Sequence, residues 1–92
     1  MADWYVYIVR CGDGSLYTGI AKDVERRVAE HNGSNLLSAR YTRTRRPVEL
    51  VYQEGLETRS DASRREHQIK QLTKEEKEVL INQANTTRHV PA

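Results

Sequence analysis

Two basic side chains in one short segment have the types and spacing to bind an anion. In "DVERRVAEHN", residues 23–32, Val24 and Val28 mark the face of a helix that packs inward. Arg27 and His31 fall beside that apolar stripe rather than opposite it, where burial would penalise their charge. They either reach past the edge of a core, or they converge on a ligand that needs positive charge and hydrogen-bond donors.

One reaction that such residues could support is hydrolysis of a phosphodiester. This reaction requires a nucleophilic water, positive charge at the phosphoryl oxygens and help for the leaving alkoxide. Arg27 offers a planar fork that matches phosphate oxygens, and His31 can donate to the same phosphate or accept a proton. Glu66, at the margin of a later helical stripe, suffices for one Mg²⁺ or Mn²⁺ ion but not for a two-metal site. Tyr17 can orient the water or, with a lowered pKa, remove its proton.

Each of these residues also has an ordinary structural explanation. Tyrosine on a strand is most often a core residue with a hydrogen-bonded tip, and a histidine at a stripe edge is more often structural. Glu66 would pair with Arg65 or with Lys70 at i+4. One cysteine and three widely spaced histidines argue against a zinc cage or a Cys–His nucleophile.

Positive charge is concentrated in one segment, although the net charge is only +2. No acidic residue occurs between Glu30 and Glu49. Within that interval "ARYTRTRRP" surrounds Tyr41 with basic side chains, and we expect these, with Lys22, to contact nucleic acid: Arg40, Arg43, Arg45 and Arg46. The alternative is a solvated loop whose arginines have no ligand.

Length and composition indicate a small protein of the cytoplasm. The 92 residues suit one domain, which we place at 1–83, with 84–92 as a disordered tail. Cys11 has no cysteine to pair with, and the start "MADWYVYIVRC" lacks the pattern of a secretion signal. No segment is apolar enough to cross a membrane, and mean hydropathy is -0.81.

The elements that must position these residues are readable along the chain. "WYVYIVR", residues 4–10, is apolar on both faces and predicts a central strand, joined through "CGDGS" to a second strand "LYTG". Asp23 is the expected cap of the first helix, which ends at Asn32-Gly33. "VELVYQ", residues 48–53, then predicts an edge strand.

Two further helices follow that strand. One should begin near Ser60 and Asp61 and run through "DASRREHQIKQL". The other, "KEEKEVLIN", should begin with a capping box formed by Thr73 and Glu76. The pattern therefore predicts three helices in all.

The order of these residues resembles the GIY-YIG nuclease superfamily. "YVY" at 5–7 looks like the first half of the signature and "YTG" at 17–19 like the second, and Arg27, His31 and Glu66 follow in helices. "IKQLTK" after the glutamate is similar to the small single-domain bacterial branch. The resemblance covers about residues 4–72. Any one tripeptide is a weak signal, whereas the ordered set is fairly specific.

That resemblance implies a fold, a reaction and a role for each site residue. The fold is a small α/β domain of the α+β type, with a three-stranded antiparallel sheet, first strand central, flanked by helices. The reaction is phosphodiester hydrolysis with one divalent metal. The implied roles are two signature tyrosines, a signature glycine, a phosphate-binding arginine, an auxiliary polar residue and a metal ligand: Tyr7, Tyr17, Gly19, Arg27, His31 and Glu66.

The chain departs from the family pattern at three positions. Tyr5 replaces the first signature glycine, and Ile20 stands where the repair-nuclease branch has lysine. The asparagine that follows the glutamate in some branches has Asn82 as its nearest counterpart.

We therefore expect a metal-dependent endonuclease acting on DNA or RNA. The alternative is a nucleic-acid-binding module on the same scaffold with weak or lost catalysis, with a protein partner as a possible source of substrate specificity. A protein-interaction domain alone would leave the arginine segment and the Tyr-Arg-Glu order unexplained.

Overall fold

The fold is a three-stranded antiparallel sheet with helices on both faces. A computed structural model describes residues 2–88. The central strand is β1, with β2 and β3 antiparallel to it at either edge, so the predicted sheet is confirmed. The elements in chain order are β1 Trp4–Arg10, β2 Leu16–Ala21, α1 Val24–Gly33, α2 Arg40–Arg43, β3 Glu49–Leu56, α3 Arg59–Lys70 and α4 Lys74–Arg88.

β1 is central because its side chains are apolar on both faces. Residues 6–9 are all buried, and alternate side chains of a strand point to opposite faces. On one face Tyr7 and Val9 pack in a cluster that includes Val24 of α1. On the other face the neighbouring positions pack against Ala62 and Ile69 of α3. β1 therefore packs against α1 on one face of the sheet and against α3 on the other.

Two of the expected helix starts are present with the expected caps. The Asp23 side chain accepts a hydrogen bond from the Arg26 backbone N–H at 3.1 Å. Thr73 and Glu76 form a reciprocal capping box, with distances of 2.8 and 3.2 Å. The helix α3 begins earlier than expected, because the Thr58 hydroxyl rather than Ser60 or Asp61 supplies its cap.

The prediction of three helices is wrong, because the basic segment contains a fourth. α2 spans only Arg40–Arg43, which is too short for a periodic pattern to show in the sequence. The inward side chain of α2 is Thr42, which is fully buried. At the other end of the chain α4 continues to Arg88, past the boundary at residue 83, and residues 89–92 lie outside the described residues.

Charge pairs fasten the later helices to the sheet. Arg10, at the end of β1, makes a bidentate pair with Glu78 of α4, at 2.6 and 2.8 Å. The Arg65 guanidinium of α3 donates to Glu54 of β3 at 3.1 Å. All four side chains are only partly exposed, so these pairs fix the orientation of α3 and α4 better than freely solvated pairs would. Among the described residues, no helix is both long and apolar enough to cross a membrane.

Candidate active site

Gly19 lies directly under the hydroxyl of Tyr7. The two residues are partners across β1 and β2, and a Cβ added at Gly19 would stand 2.6 Å from the Tyr7 hydroxyl oxygen. Any larger residue would push that hydroxyl away from β2. The glycine therefore allows a buried phenol to cross the neighbouring strand.

His31 of α1 bonds to the same hydroxyl from the other side. Its Nε2 lies 2.8 Å from the Tyr7 oxygen, and the His31 side chain is 0% exposed. The expectation that His31 contacts phosphate is therefore corrected, because a fully buried imidazole can reach substrate only through its neighbour. His31 hydrogen-bonds Tyr7 instead.

The other ring nitrogen of His31 faces α2. The Ala39 backbone N–H donates to Nδ1 at 3.3 Å, and the Thr42 hydroxyl lies 2.9 Å from the same atom. Because Nδ1 accepts from Ala39, the ring proton of neutral His31 belongs on Nε2, which then donates to Tyr7. Burial, with the charge of Arg27 adding to it, lowers the pKa of His31 to about 4. His31 is therefore neutral near pH 7.

Tyr7 stays protonated at neutral pH. Burial raises its pKa to about 12, with Tyr17 and Glu66 adding to the rise and the Arg27 guanidinium opposing it. Since the Tyr7 oxygen accepts from His31, its own O–H remains available to donate elsewhere. These four residues act on one another although they lie on four elements of the fold.

Arg27 is held at one end of its guanidinium. Its Nη1 donates to Glu30 at 2.9 Å and to the Leu37 carbonyl at 2.6 Å, and the side chain is only partly exposed. The guanidinium also lies within hydrogen-bonding reach of the Tyr7 hydroxyl, and this hydrogen bond and the Arg27 charge oppose the rise in the Tyr7 pKa. Nε and Nη2 form the edge of the fork opposite the anchored nitrogen, which is the geometry that binds two phosphate oxygens.

Tyr17 lies between His31 and an aromatic side chain from α2. Its ring meets the His31 ring edge-on, with centroids 5.6 Å apart. The Tyr41 ring stacks on Tyr17 at 5.8 Å and 23°, and the Arg45 guanidinium covers Tyr41 at 4.0 Å. The sequence singled out Tyr41 only as the neighbour of the arginines. Its isolation as the one aromatic residue in that segment was the available signal.

Glu66 carries its carboxylate on α3, partly exposed. It pairs with Lys70 at 3.3 Å, which confirms one of the two expected pairs. Among the described residues no group of three or more His, Cys, Asp or Glu side chains could hold a metal ion. A metal at this site would therefore rest on Glu66, water and substrate phosphate, a donor set that suits Mg²⁺.

Arg46 turns inward rather than toward solvent. Its guanidinium donates to the carbonyls of His31 and Ser34, each at 2.6 Å, and to the side chains of Asn35 and Ser38 at 3.0 and 3.2 Å. A guanidinium with this many partners has no free edge for phosphate. The expectation that Arg46 contacts nucleic acid is therefore replaced by a structural role.

The other basic residues expected to contact nucleic acid differ in how firmly the protein holds their side chains. Arg45 pairs with Asp13 at 3.2 Å while covering Tyr41. Arg40 and Arg43 are exposed, and Arg43 makes one long bond of 3.4 Å to Ser38. Lys22 is also exposed, with its ammonium 5.4 Å from the Trp4 ring. Asn82, on α4, is exposed as well.

Comparison with known proteins tests the family resemblance. The family model of the GIY-YIG catalytic domain matches residues 3–79. The chain belongs to the GIY-YIG family. It is a family of nucleases, and the resemblance expected from the ordered motifs is confirmed.

Bacterial relatives place this GIY-YIG chain among small UPF0213 proteins. A UPF0213 protein of Desulfotalea psychrophila is 56% identical over 78 residues, covering 85% of this chain and 70% of that protein. One from Staphylococcus aureus is 54% identical over 83 residues, covering 90% and 99%. The solution NMR structure of a UPF0213 protein from Bacillus halodurans has 37% identity and a TM-score of 0.55, covering 97% and 98%. That of a protein from E. faecalis has 35% identity and a TM-score of 0.62, covering 100% and 99%.

Two members of this GIY-YIG site had no signal in the local pattern. Thr42 contacts His31, and Glu30 holds Arg27. A threonine among arginines and a glutamate on a charged helix look like ordinary surface residues in a sequence. Their inward orientation depends on how α2 packs against α1, which is a tertiary property.

Proposed function

We propose that the protein is a divalent-metal-dependent endonuclease that hydrolyses phosphodiester bonds of DNA or RNA with a single metal ion. The observation that carries this proposal is the convergence on one phenol. Tyr7 accepts a hydrogen bond from buried His31, lies over Gly19, and is close enough to Arg27, Tyr17 and Glu66 for each to alter its pKa. Clustering of a perturbed phenol, a guanidinium and a carboxylate favours a catalytic site over an ordinary core.

Arg27 would bind the scissile phosphate. Its Nη1 is held by Glu30 and Leu37, so the opposite edge of the guanidinium is oriented before substrate arrives. A pre-oriented bidentate donor neutralises the charge that builds on the phosphoryl oxygens without reorganising in the transition state.

The two tyrosines would have different roles, one as a hydrogen-bond donor and the other as a proton acceptor. Tyr7, with a pKa of about 12, is a hydrogen-bond donor at neutral pH and would orient the attacking water or a phosphoryl oxygen. Tyr17 is only partly buried; in its phenolate form it would accept the proton of that water and become the neutral phenol.

Glu66 would hold the metal, because it is the carboxylate whose charge acts on Tyr7. A bound Mg²⁺ or Mn²⁺ ion supplies positive charge for the phosphoryl and leaving oxygens. Lys70 pairs with Glu66 Oε2 at 3.3 Å. Because Lys70 is exposed, its ammonium is free to move aside when a metal binds the carboxylate.

The test uses Glu66→Gln, which keeps size and polarity but removes the ligand charge. Labelled single-stranded, duplex and branched DNA and RNA are incubated with Mg²⁺, with Mn²⁺ and with chelator. We expect wild-type cleavage of at least one substrate with metal, and loss of that cleavage in Glu66→Gln with oligonucleotide affinity retained. Glu75→Gln, at an exposed position of α4, is the matched control and should cleave normally.

A nucleic-acid-binding module is the second candidate, favoured by one observation. Both site charges already have partners within the protein, Glu66 with Lys70 and Arg27 with Glu30. Wild-type protein that binds oligonucleotides but cleaves none of these substrates with either metal would favour this candidate, with a protein partner supplying specificity.

A further inference from the structure

The short helix α2 packs against the side chains of the candidate site. Two consecutive residues of this helix, Tyr41 and Thr42, reach toward different tyrosines of the sheet. Neither was expected to have a role. Tyr41 stacks on Tyr17, whereas Thr42 reaches Tyr7 through His31.

The connection from Thr42 to Tyr7 runs through hydrogen bonds between buried atoms. The Thr42 hydroxyl lies 2.9 Å from His31 Nδ1 and 3.0 Å from the Ala39 carbonyl, and His31 Nε2 lies 2.8 Å from the Tyr7 hydroxyl. An imidazole with an acceptor at one nitrogen presents a donor at the other. The Thr42 hydroxyl has one proton; donated to Nδ1 rather than to the Ala39 carbonyl, it acts with the Ala39 N–H to keep Nδ1 an acceptor, which leaves Nε2 to donate to Tyr7.

The connection from Tyr41 to Tyr17 is a ring stack to which Arg45 adds a cation–π contact. The Tyr41 and Tyr17 ring centroids are 5.8 Å apart, and the Arg45 guanidinium lies 4.0 Å from the Tyr41 ring. Arg45 also donates to the Tyr41 carbonyl at 2.9 Å and pairs with Asp13 of the β1–β2 turn at 3.2 Å. Stacked and cation–π contacts of this kind restrict a ring that would otherwise rotate freely.

We propose that Tyr41 and Thr42 are positioning residues for the catalytic tyrosines, Tyr41 for Tyr17 and Thr42, through His31, for Tyr7. This inference rests on the proposed function. It also assigns a purpose to two arginines of the basic segment. Arg45 makes a cation–π contact with Tyr41, and Arg46 links the segment after α2 to the end of α1.

The first experiment measures the tautomer of His31 and requires no activity. Imidazole nitrogen chemical shifts by NMR should show the Nε2–H form in wild-type protein. Thr42→Val, which removes the hydroxyl but keeps the shape, should shift His31 toward a mixture of tautomers, and Thr42→Ser should keep the wild-type form. Thr18→Val is the control, because Thr18 is equally buried but its hydroxyl has no hydrogen-bond partner among the described residues.

The second experiment separates positioning from substrate binding. We expect Thr42→Val and Tyr41→Leu each to lower kcat by about 10- to 100-fold while KM changes little, because misplacement of a catalytic group affects the transition state more than the bound substrate. Tyr41→Phe keeps the ring and should keep near wild-type kcat. A residue that bound phosphate or a base would instead raise KM.

The outcomes distinguish this inference from the proposed function. Unchanged His31 shifts in Thr42→Val, or a Tyr41→Leu variant with wild-type kcat, would overturn the corresponding half of the inference. Wild-type protein without any cleavage would contradict the proposed function, and the nitrogen shifts would still decide whether Thr42 sets the state of His31. If Thr42→Val does not fold, the nitrogen shifts of Thr42→Ser and the kcat values of the Tyr41 variants are measured in its place.

Discussion

The His31 Nε2 and the Tyr7 hydroxyl are 2.8 Å apart, and neither side chain is more than 1% exposed. A small domain has little core to spare for polar atoms, so such a pair is tolerated only when its hydrogen bonds are satisfied. Both ring nitrogens of His31 have partners. The polar pair connects β1, α1 and α2 at the centre of the site, and loss of one member leaves the other unsatisfied.

Stability should therefore depend on pH through His31. Its pKa is about 4 in the folded protein, against 6.5 for an ordinary histidine. Between these two pH values the unfolded chain binds more protons than the folded protein. The contribution of His31 to the free energy of unfolding is therefore complete above pH 6.5 and is lost as the pH falls toward 4. The loss attributable to His31 is at most about 3 kcal/mol.

Urea unfolding at pH 7 and pH 4.5 measures this dependence. His31→Gln should lower stability at pH 7 and flatten the change between the two pH values, whereas His67→Gln, at an exposed position, should leave the change intact. Equal pH dependence in wild type and His31→Gln would mean that other groups, not His31, cause the loss.

Gly19→Ala should disable the site by displacing Tyr7. The new methyl would meet the Tyr7 hydroxyl at 2.6 Å, and overpacking of this kind costs about 1–3 kcal/mol. We expect a fall in the melting temperature together with loss of most cleavage. Gly33→Ala is the matched control, since nothing lies within 4 Å of a Cβ there and alanine favours a helix. Normal cleavage by Gly19→Ala would show that the position of the Tyr7 hydroxyl does not matter.

Local patterns predicted most of the fold, and they failed where tertiary packing decides. β1 was predictable over Trp4–Arg10 because apolar side chains on both faces distinguish a central strand. The caps at Asp23 and Thr73 were equally visible. By contrast, α2 is one turn long, and its contact with α1 through Thr42 and His31 is a tertiary feature that no sequence periodicity encodes.

The sequence order predicted a candidate site, and its membership stays a prediction. The structure does bring Tyr7 close to His31, Arg27 and Glu66. Burial of His31 and the inward turn of Arg46 could not be inferred, because both are basic residues that a sequence pattern assigns to the surface. In each case hydrogen bonds to the backbone or to a neighbouring hydroxyl compensate for the burial.

Replacement of Arg27 should distinguish a bidentate donor from a point charge. Arg27→Lys should reduce cleavage nearly as much as Arg27→Ala, by about 100-fold, because lysine can satisfy Glu30 but offers no second edge to phosphate. Arg26→Lys is the control, since Arg26 also pairs with Glu30 but is largely exposed. Kinetics and circular dichroism are measured together. Near-full turnover in Arg27→Lys would reduce the role to electrostatics, and unfolding of both variants would make the residue structural.

The basic segment should separate into two classes when its arginines are replaced singly. Arg40 and Arg43 are exposed, so each alanine variant should lower the slope of log affinity against log salt by about 0.7–0.9 unit, the contribution of one phosphate contact. Their melting temperatures should remain unchanged. Arg46→Ala should instead lower the melting temperature and leave the salt slope unchanged, because the Arg46 guanidinium donates to the His31 and Ser34 carbonyls.

Fluorescence anisotropy on a generic oligonucleotide in chelator gives the slopes, and thermal unfolding gives the stabilities. For Arg46→Ala we expect a clear fall in melting temperature, since partly buried carbonyls lose charged donors worth about 1.5–3 kcal/mol each. Its salt slope should equal that of wild type at temperatures where the variant is folded. A slope reduced by a full unit in Arg46→Ala, with stability unchanged, would mean that its inward bonds yield to phosphate and that the whole segment, rather than Arg40 and Arg43 alone, contacts nucleic acid.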